Sequence, residues 1–225
     1  MSTQLDHLVI AAETLEQGVD YVRSTLGIEI PKGGFHKTMG TCNHLMQLGN
    51  STYLEVIAIN PDAAIPDQPR WFNLDDALMR ESLHQQPRLI TWVINTADIH
   101  HLHQKSAFSI GTPTELSRDD LRWQIALAED GRLLANGLLP YVIQWLSTPH
   151  PSATMADLGC RLQSLEIYHN RADWLCSMLE TIEADHLVNI HALPDNECAY
   201  LSAKIETPSG IKVLTSRVVR KTPGP

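Results

Sequence analysis

The sequence predicts an α+β protein in which two βαβββ units pair into a curved mixed sheet around a cleft, with a degenerate third unit at the C-terminal end. An internal repeat is the main observation behind this prediction. A strand-like segment at 5–12, an amphipathic helix and a closing strand at 53–59 recur in the same order from 89–96 to 141–147. The length of 225 residues suits one domain made of two or three such units. Polar side chains on the first and last strands are then expected to point into the cleft.

The first unit is predicted over residues 1–60. Thr14 and Gln17 fit a capping box that opens an amphipathic helix, and Gly27 supplies its C-terminal stop. The segment Pro31-Lys-Gly-Gly34 predicts a turn, because Pro and Gly favour turns over strands. The strands expected in the rest of this unit lie at 28–30, 44–48 and 52–59.

A connector over 61–87 separates the two units. It is rich in Pro and Asp at its start and carries a predicted helix at 74–83. The second unit follows at 88–148, with a short helix-like run at 98–106 and a strand at 121–127. The order of these elements matches the first unit, so the two units are expected to fold alike.

The C-terminal unit, 149–225, has the pattern of a degenerate third copy. Its positions equivalent to His7 and Glu55 are Leu165 and Lys212, and neither suits a divalent cation. A structural role is therefore predicted for this unit. Its elements are expected as a strand at 162–168, a helix at 171–182 and a hairpin at 200–205 and 211–215.

Composition and charge narrow the class of protein. No apolar stretch approaches the roughly 20 residues that a membrane-spanning helix needs, and the N-terminal segment lacks the features of a secretory signal. A net charge of −9 argues against nucleic acid as a partner, because proteins that bind it concentrate Lys and Arg on one face. The four cysteines show no metal-binding spacing and are expected as reduced thiols. We therefore expect a cytoplasmic protein with a small-molecule partner and no membrane partner, as a monomer or homodimer.

Two titratable side chains within apolar strands indicate a site. His7 and Glu55 each lie in such a strand. Burying a charge without a partner costs several kcal/mol, so packing alone does not explain them. When the two units are overlaid, His7 falls on Thr91 and Glu55 on Gln144, with offsets of 91−7=84 and 144−55=89 residues. The pair is either part of a functional site or a hydrogen-bonded polar pair inside the sheet.

Five short motifs occur in a recognisable order along the chain. They are Leu5-Asp-His-Leu-Val, Gly33-Gly-Phe-His36, Gly40-Thr-Cys-Asn43, Tyr53-Leu-Glu-Val and Leu139-Pro-Tyr-Val-Ile-Gln-Trp145. This order resembles the vicinal oxygen chelate superfamily, which includes glyoxalase I, bleomycin-resistance proteins and extradiol dioxygenases, and within it the glyoxalase-like domain group. No single motif is diagnostic, but their order over most of the chain is fairly specific.

The resemblance implies a divalent metal, Zn, Ni, Mn or Fe, held by side chains on the first and last strands of the two units. Carried over by position, the candidate ligands are His7 and Glu55 from the first unit and Thr91 and Gln144 from the second. Imidazole and carboxylate suit a divalent ion and Gln144 offers a neutral carbonyl oxygen, whereas Thr91 is a poor ligand. The histidines that would replace a missing donor are His36 and His44.

On this resemblance, the protein is expected to act on a small molecule with adjacent oxygens, as a lyase, isomerase or dioxygenase that uses metal chelation and proton transfer. Glu55 is the expected catalytic base. The alternative is a metal-free protein that binds or sequesters a small molecule, as the bleomycin-resistance proteins do, and a third interpretation is a structural or partner-binding protein. The residues expected to contact the substrate are His36, Asn43, Thr91, Arg118 and Trp145.

Overall fold

The computed structural model describes residues 3–217. Its helices are α1 (Leu15–Leu26), α2 (Ala77–Gln85), α3 (Ile99–Lys105) and α4 (Ala172–Thr181). Its strands are β1 (Gln4–Ala11), β2 (Lys32–His36), β3 (Thr41–Gln47), β4 (Tyr53–Ile59), β5 (Arg88–Asn95), β6 (Thr112–Arg118), β7 (Leu121–Leu127), β8 (Tyr141–Trp145), β9 (Arg161–His169), β10 (Asn189–Ala192), β11 (Tyr200–Thr207) and β12 (Gly210–Thr215). Within this range, no helix is both long enough and apolar enough to cross a membrane.

Strands β1 to β8 form one mixed sheet in the order β2-β3-β4-β1-β5-β8-β7-β6. In each half the first strand pairs parallel with the last, β1 with β4 and β5 with β8. The halves join where β1 runs antiparallel to β5. This pairing confirms the predicted α+β fold of two βαβββ units.

The C-terminal unit forms a separate four-stranded sheet in the order β10-β9-β11-β12. It has the predicted strand, helix and hairpin and one further strand, β10, that the sequence pattern does not give. Its first strand, β9, lies between β10 and β11 and does not pair with the last strand. Strands β11 and β12 pack against β5, and β12 also packs against α1. One core cluster therefore joins the two sheets with helices α1, α3 and α4, and it includes the fully buried Leu8, Trp92 and Leu201.

The opposite face of the large sheet carries a second core cluster and the cleft. Trp71 and Phe72, from a short 3-10 helix in the connector, belong to this cluster together with residues of α2 and of strands from both halves. The backbone amide of Phe72 donates to the Tyr141 hydroxyl at 3.3 Å. The connector therefore fills part of the cleft and leaves a smaller cavity beside it.

Helix α1 begins and ends where the sequence predicts. Thr14 Oγ1 accepts a hydrogen bond from the Gln17 amide at 3.2 Å, and the Gln17 side chain accepts one from the Thr14 amide at 3.4 Å. Gly27 ends the helix with φ of 74°, a left-handed conformation that favours glycine. The predicted capping box and stop are confirmed.

The strand predicted at 28–30 and the turn predicted at 31–34 are wrong. The second strand is instead β2, Lys32–His36, which contains two glycines. A Cβ atom added to Gly33 would lie 2.2 Å from Asn43 Oδ1. Glycine inside a strand often marks such a close approach of a neighbouring group. The motif is therefore explained by this close approach and not by a turn.

The sequence pattern gives no strand between the helix-like run at 98–106 and the strand at 121–127. Strand β6 lies there and ends at Arg118, and the turn follows at Asp119, which has φ of 54°. Strand β6 lies at the edge of the large sheet, where Pro113 and exposed polar residues are tolerated. An edge strand of this kind lacks the apolar alternation by which strands are recognised in a sequence.

Candidate functional site

A narrow cavity lies on the cleft face of the large sheet. Its volume is about 40 Å³, enough for a few water molecules or a small compound that displaces them. Both halves of the sheet contribute polar or aromatic side chains to its wall. The first half contributes His7, His36, Asn43 and Glu55, and the second half contributes Arg118, Trp123 and Trp145.

His7 and Glu55 meet at one wall of the cavity. Because His7 pairs with Tyr53 across the parallel strands β1 and β4, Glu55, two residues further on, lies on the same face. His7 Nε2 and Glu55 Oε2 are 3.7 Å apart, which is longer than a hydrogen bond. The Tyr53 ring stacks on the His7 imidazole with a centroid distance of 4.5 Å. Both titratable side chains are nearly completely buried, with 4% and 5% exposure.

Asp6 contacts the other side of the His7 ring, although the sequence pattern does not single it out. Its Oδ1 lies 2.6 Å from His7 Nδ1. Its Oδ2 accepts a hydrogen bond from Trp145 Nε1 at 2.8 Å and lies 3.0 Å from His150 Nε2. Burial acts to raise the pKa of this carboxyl, but hydrogen bonds from His150 and His7 outweigh it, and the pKa lies well below its ordinary value. Asp6 is therefore an ionised hydrogen-bond acceptor.

Asn43, predicted to contact the substrate, orients Glu55. Its Nδ2 donates to Glu55 Oε1 at 2.6 Å. Its Oδ1 accepts from the Gly34 backbone amide at 2.8 Å, which fixes the orientation of the side-chain amide. Glu55 Oε1 is thus occupied, and Oε2 remains on the side of His7.

Arg118 brings a positive charge from the second half into the cavity. Its Nη1 lies 3.3 Å from His36 Nε2 and donates to Asn43 Oδ1 at 3.4 Å. Gly34 makes room for it, because a Cβ atom there would lie 3.2 Å from Arg118 Cδ. Within residues 3–217, Arg118 forms no ion pair with a carboxylate, so most of its donors are available to an oxygen-bearing ligand.

His36 is neutral at physiological pH. Burial, the charge of Arg118 and the nearby His7 lower the pKa of His36 from 6.5 to about 3. Its Nδ1 lies 3.0 Å from Thr41 Oγ1, and its ring meets the edge of Trp71 with a centroid distance of 4.9 Å. A neutral ring can accept a hydrogen bond from the guanidinium of Arg118 and helps to hold it in place.

Trp145, the remaining predicted substrate contact, forms a wall of the cavity. Its ring lies 5.5 Å from that of Trp123, centroid to centroid. Both belong to the second half, on β8 and β7. This part of the cavity is therefore aromatic.

The strand pairing of the second half shows which of its residues are equivalent to His7 and Glu55. Val93 pairs with Tyr141 across β5 and β8, as His7 pairs with Tyr53 across β1 and β4. The residue two positions after Tyr141 is Ile143, which lines the cavity. The structural equivalents of the two titratable residues are therefore Val93 and Ile143, with offsets of 93−7=86 and 143−55=88.

Neither Gln144 nor Thr91 lines the cavity. Gln144 is one residue beyond Ile143, and a shift of one residue along a strand turns a side chain to the other face of the sheet. Gln144 Oε1 accepts a hydrogen bond from the Ile99 amide, at the start of α3, at 2.9 Å. Thr91 is completely buried, and its hydroxyl donates to the Gly137 carbonyl at 3.3 Å. The side chains of Gln144, the expected metal ligand, and Thr91, the expected substrate contact, are thus each bonded to backbone away from the cavity.

The side chains around the cavity do not fit the metal centre that the resemblance implies. A catalytic zinc ion, for example, takes about three protein ligands, whereas this site offers His7 and Glu55. His36 also lines the cavity, but its two ring nitrogens contact Thr41 and Arg118, and the positive charge of Arg118 would repel a metal cation. His44 does not replace the missing donor, because its Nδ1 lies 2.7 Å from the Ile30 carbonyl oxygen and it does not line the cavity. Over residues 3–217, no group of three or more His, Cys, Asp and Glu side chains is arranged to hold a metal ion.

The sequence matches the model of the Glyoxalase-like domain family over residues 5–182, which is most of the chain. The chain belongs to this family, and its membership of the vicinal oxygen chelate superfamily is thereby confirmed. No curated protein matches the sequence significantly.

Among solved structures, the chain is similar to a hypothetical protein from Staphylococcus aureus, with 16% identity and a TM-score of 0.57, over 96% of this chain and 85% of that one. It is also similar to methylmalonyl-CoA epimerase from Mycobacterium tuberculosis, with 14% identity and a TM-score of 0.40, over 67% of this chain and 91% of the epimerase. A variant of the Streptomyces coelicolor methylmalonyl-CoA epimerase in complex with 2-nitronate-propionyl-CoA gives 16% identity and a TM-score of 0.40, over 67% of this chain and 100% of that one. At such identities, the Staphylococcus aureus structure shows a shared fold alone.

Proposed function

We propose that the protein binds a small molecule with adjacent oxygens in this cavity and moves a proton on it without a metal, as an isomerase or lyase. The observation that supports this proposal is the His7–Glu55 pair, with 3.7 Å between Nε2 and Oε2, in the same cavity as Arg118. Proton acceptors and a cation are the two components needed to remove a proton next to a carbonyl group.

Arg118 is proposed to bind the two adjacent oxygens. The guanidinium carries five N–H donors in a planar fork that suits two oxygens at once. Its contacts to His36 and Asn43, at 3.3 and 3.4 Å, hold it in place and leave donors unused. As the proton leaves, negative charge develops on the carbonyl oxygen, and Arg118 stabilises it.

Glu55 is proposed to take the proton. The C–H bond next to the carbonyl breaks, its electron pair forms the enolate, and the proton goes to Glu55 Oε2. His7 Nε2 lies 3.7 Å from this oxygen and, when it carries no hydrogen, provides the second position for the proton. The pair can then return the proton to the same carbon or to its neighbour.

The test is exchange of deuterium from D2O into small 2-oxo and 2-hydroxy acids. The exchange is catalysed by chelator-treated protein and followed by proton NMR of the compounds. We expect exchange of one C–H position in at least one compound, and a loss of about 100-fold or more in Glu55→Gln. Glu166→Gln is the matched control, because Glu166 is also a buried glutamate but binds Lys204 in the C-terminal sheet. Equal exchange in both variants would refute the role of Glu55.

A metal-free binding protein is the second candidate. The positions equivalent to His7 and Glu55 in the second half are the apolar Val93 and Ile143, so the second half adds no further proton acceptor at these positions. A compound that raises the melting temperature but never exchanges its hydrogens would favour binding over catalysis.

Metal content distinguishes these two metal-free candidates from the metal-chelating enzyme that the resemblance implies. We expect substoichiometric Zn, Ni, Mn and Fe by mass spectrometry in protein purified without chelator. Near-stoichiometric metal that is lost in Glu55→Ala would contradict the metal-free proposal.

A further inference from the structure

Strand β1 contains a bulge at Asp6. Across β1 and β5, Leu5 pairs with Ile94 and His7 pairs with Val93, so Asp6 has no partner residue. Neighbouring residues of a regular strand point to opposite faces, but a bulge redirects a side chain. The Asp6 carboxylate therefore reaches the ring of the adjacent His7, with 2.6 Å between Oδ1 and Nδ1.

The Asp6 carboxylate is completely buried and saturated with hydrogen bonds. Besides His7 at Oδ1, its Oδ2 accepts from Asn95 Nδ2 at 3.2 Å and Trp145 Nε1 at 2.8 Å, and lies 3.0 Å from His150 Nε2. An ionised carboxylate only accepts hydrogen bonds. Each histidine nitrogen that faces Asp6 must therefore carry a hydrogen.

His150 belongs to the linker, 149–155, that leads from the large sheet to the C-terminal unit. The Ser152 amide donates to His150 Nδ1 at 3.3 Å, so the hydrogen of the neutral ring is on Nε2, towards Asp6. Pro151 and Met155 of the same linker line the cavity. Gln47 on β3 holds the linker in place by donating to the Met155 carbonyl at 3.0 Å.

We propose that Asp6 and His150 are positioning residues that fix the His7 ring in the tautomer with hydrogen on Nδ1, and that the linker thereby completes the site. The catalytic consequence rests on the proposed function, whereas the tautomer does not. In this tautomer the lone pair of Nε2 faces Glu55 Oε2 at 3.7 Å. Two acceptors at this distance leave a position for the proton that the substrate loses.

The first experiment measures the His7 tautomer by long-range proton–nitrogen NMR on protein labelled at histidine, with His7→Gln to assign the signals. We expect the Nδ1–H tautomer in the wild type. In Asp6→Asn the side-chain amide can donate to Nδ1, so we expect the hydrogen to move to Nε2 and exchange to fall by about 100-fold or more, as loss of the orienting carboxylate does in catalytic triads. Asn95→Ala is the control, because Asn95 contacts Asp6 without touching either histidine ring.

A second pair of variants tests the linker, and it keeps the inference testable if Asp6→Asn fails to fold. His150→Leu removes a donor to Asp6, whereas His150→Gln retains one. We expect a mixture of His7 tautomers and about a tenfold slower exchange in His150→Leu, and near wild-type behaviour in His150→Gln, with circular dichroism confirming that both are folded.

The outcomes separate the inference from the proposed function. A wild-type ring with its hydrogen on Nε2 would overturn the inference, and so would folded Asp6→Asn and His150→Leu variants that keep both the tautomer and the rate. If no compound exchanges in the wild type, the proposed proton transfer fails, but the tautomer measurements still decide the positioning role.

Discussion

The two halves of the large sheet have the same strand pairing but opposite chemistry at their equivalent positions. The first half places His7 and Glu55 on the cavity wall, and the second half places Val93 and Ile143 at those positions. The second half contributes its charge from Arg118, the last residue of the edge strand β6, and not from either of these two positions. A repeated fold therefore need not repeat its chemistry, because strand pairing depends on the backbone while the site depends on single side chains.

Giving the second half the same two side chains as the first half should produce the largest effect. In the double variant Val93→His and Ile143→Glu, the second half gains the imidazole and carboxylate that the first half has, so four donors can surround one divalent ion. We expect near-stoichiometric Zn or Ni after dialysis, and a melting temperature that falls without metal and recovers with it. The single variant Val93→His is the control, and a double variant that is folded but binds no metal would show that the two halves do not converge on one point.

Removing the charge of the second half should weaken ligand binding. Hydrogen bonds to charged groups contribute about 1.5–3 kcal/mol, so Arg118→Ala should reduce affinity about 10- to 100-fold for any compound that binds the cavity, measured by calorimetry. Arg118→Lys should be intermediate, because it keeps the charge but not the planar fork. Arg122→Ala serves as the control, since Arg122 on β7 pairs with Glu115 at the surface, and an equal loss there would contradict the assignment.

The contact between His36 and Arg118, which joins the two halves, should make the free energy of unfolding depend on pH. The pKa of His36 is lowered from 6.5 to about 3 by burial and Arg118. The unfolded chain therefore binds a proton below pH 6.5 that the folded chain does not, and stability falls as pH drops from 6.5 towards 3, by up to about 1.4 kcal/mol per pH unit. Urea unfolding at about pH 7 and about pH 5 should show a smaller difference in His36→Gln than in the wild type. His84→Gln, at an exposed histidine, should keep the wild-type difference.

The smallest effects are expected at the two second-half residues outside the cavity. Gln144→Leu removes one hydrogen bond to the start of α3 and should cost about 1 kcal/mol of unfolding free energy. Thr91→Val should cost a similar amount or less. Neither should alter ligand affinity measured by calorimetry, and a loss of binding in either one would return that residue to the site.

The error at Gln144 has a physical origin. The overlay of the two units aligns Glu55 with Gln144, one residue away from its structural equivalent, Ile143. The loop before β8 is much longer than the turn before β4 and hides the true offset. Because side chains alternate between faces, this one-residue error moves Gln144 from the cavity to the helix side.

Other parts of the site depend on contacts that no local pattern reveals. Asp6 reaches His7 because of a bulge, and His150 approaches from the linker across 144 positions of sequence. Only the glycines of β2 indicate such a contact in the sequence. Gly33-Gly34 is readable as a close approach, but the sequence equally suits a turn.

The sequence by itself determined the two-unit fold, the boundaries of α1 and the family resemblance, and it predicted His7 and Glu55 as site residues, because hydrophobic periodicity, short motifs and charge within apolar strands are local properties of the chain. The tertiary structure alone decided which second-half residues are equivalent to those two, that Arg118 contacts His36 and Asn43, and that Asp6 contacts both His7 and His150. These features depend on strand register and on contacts between distant segments. Both are fixed by packing of the whole sheet, and they cannot be derived from one strand at a time.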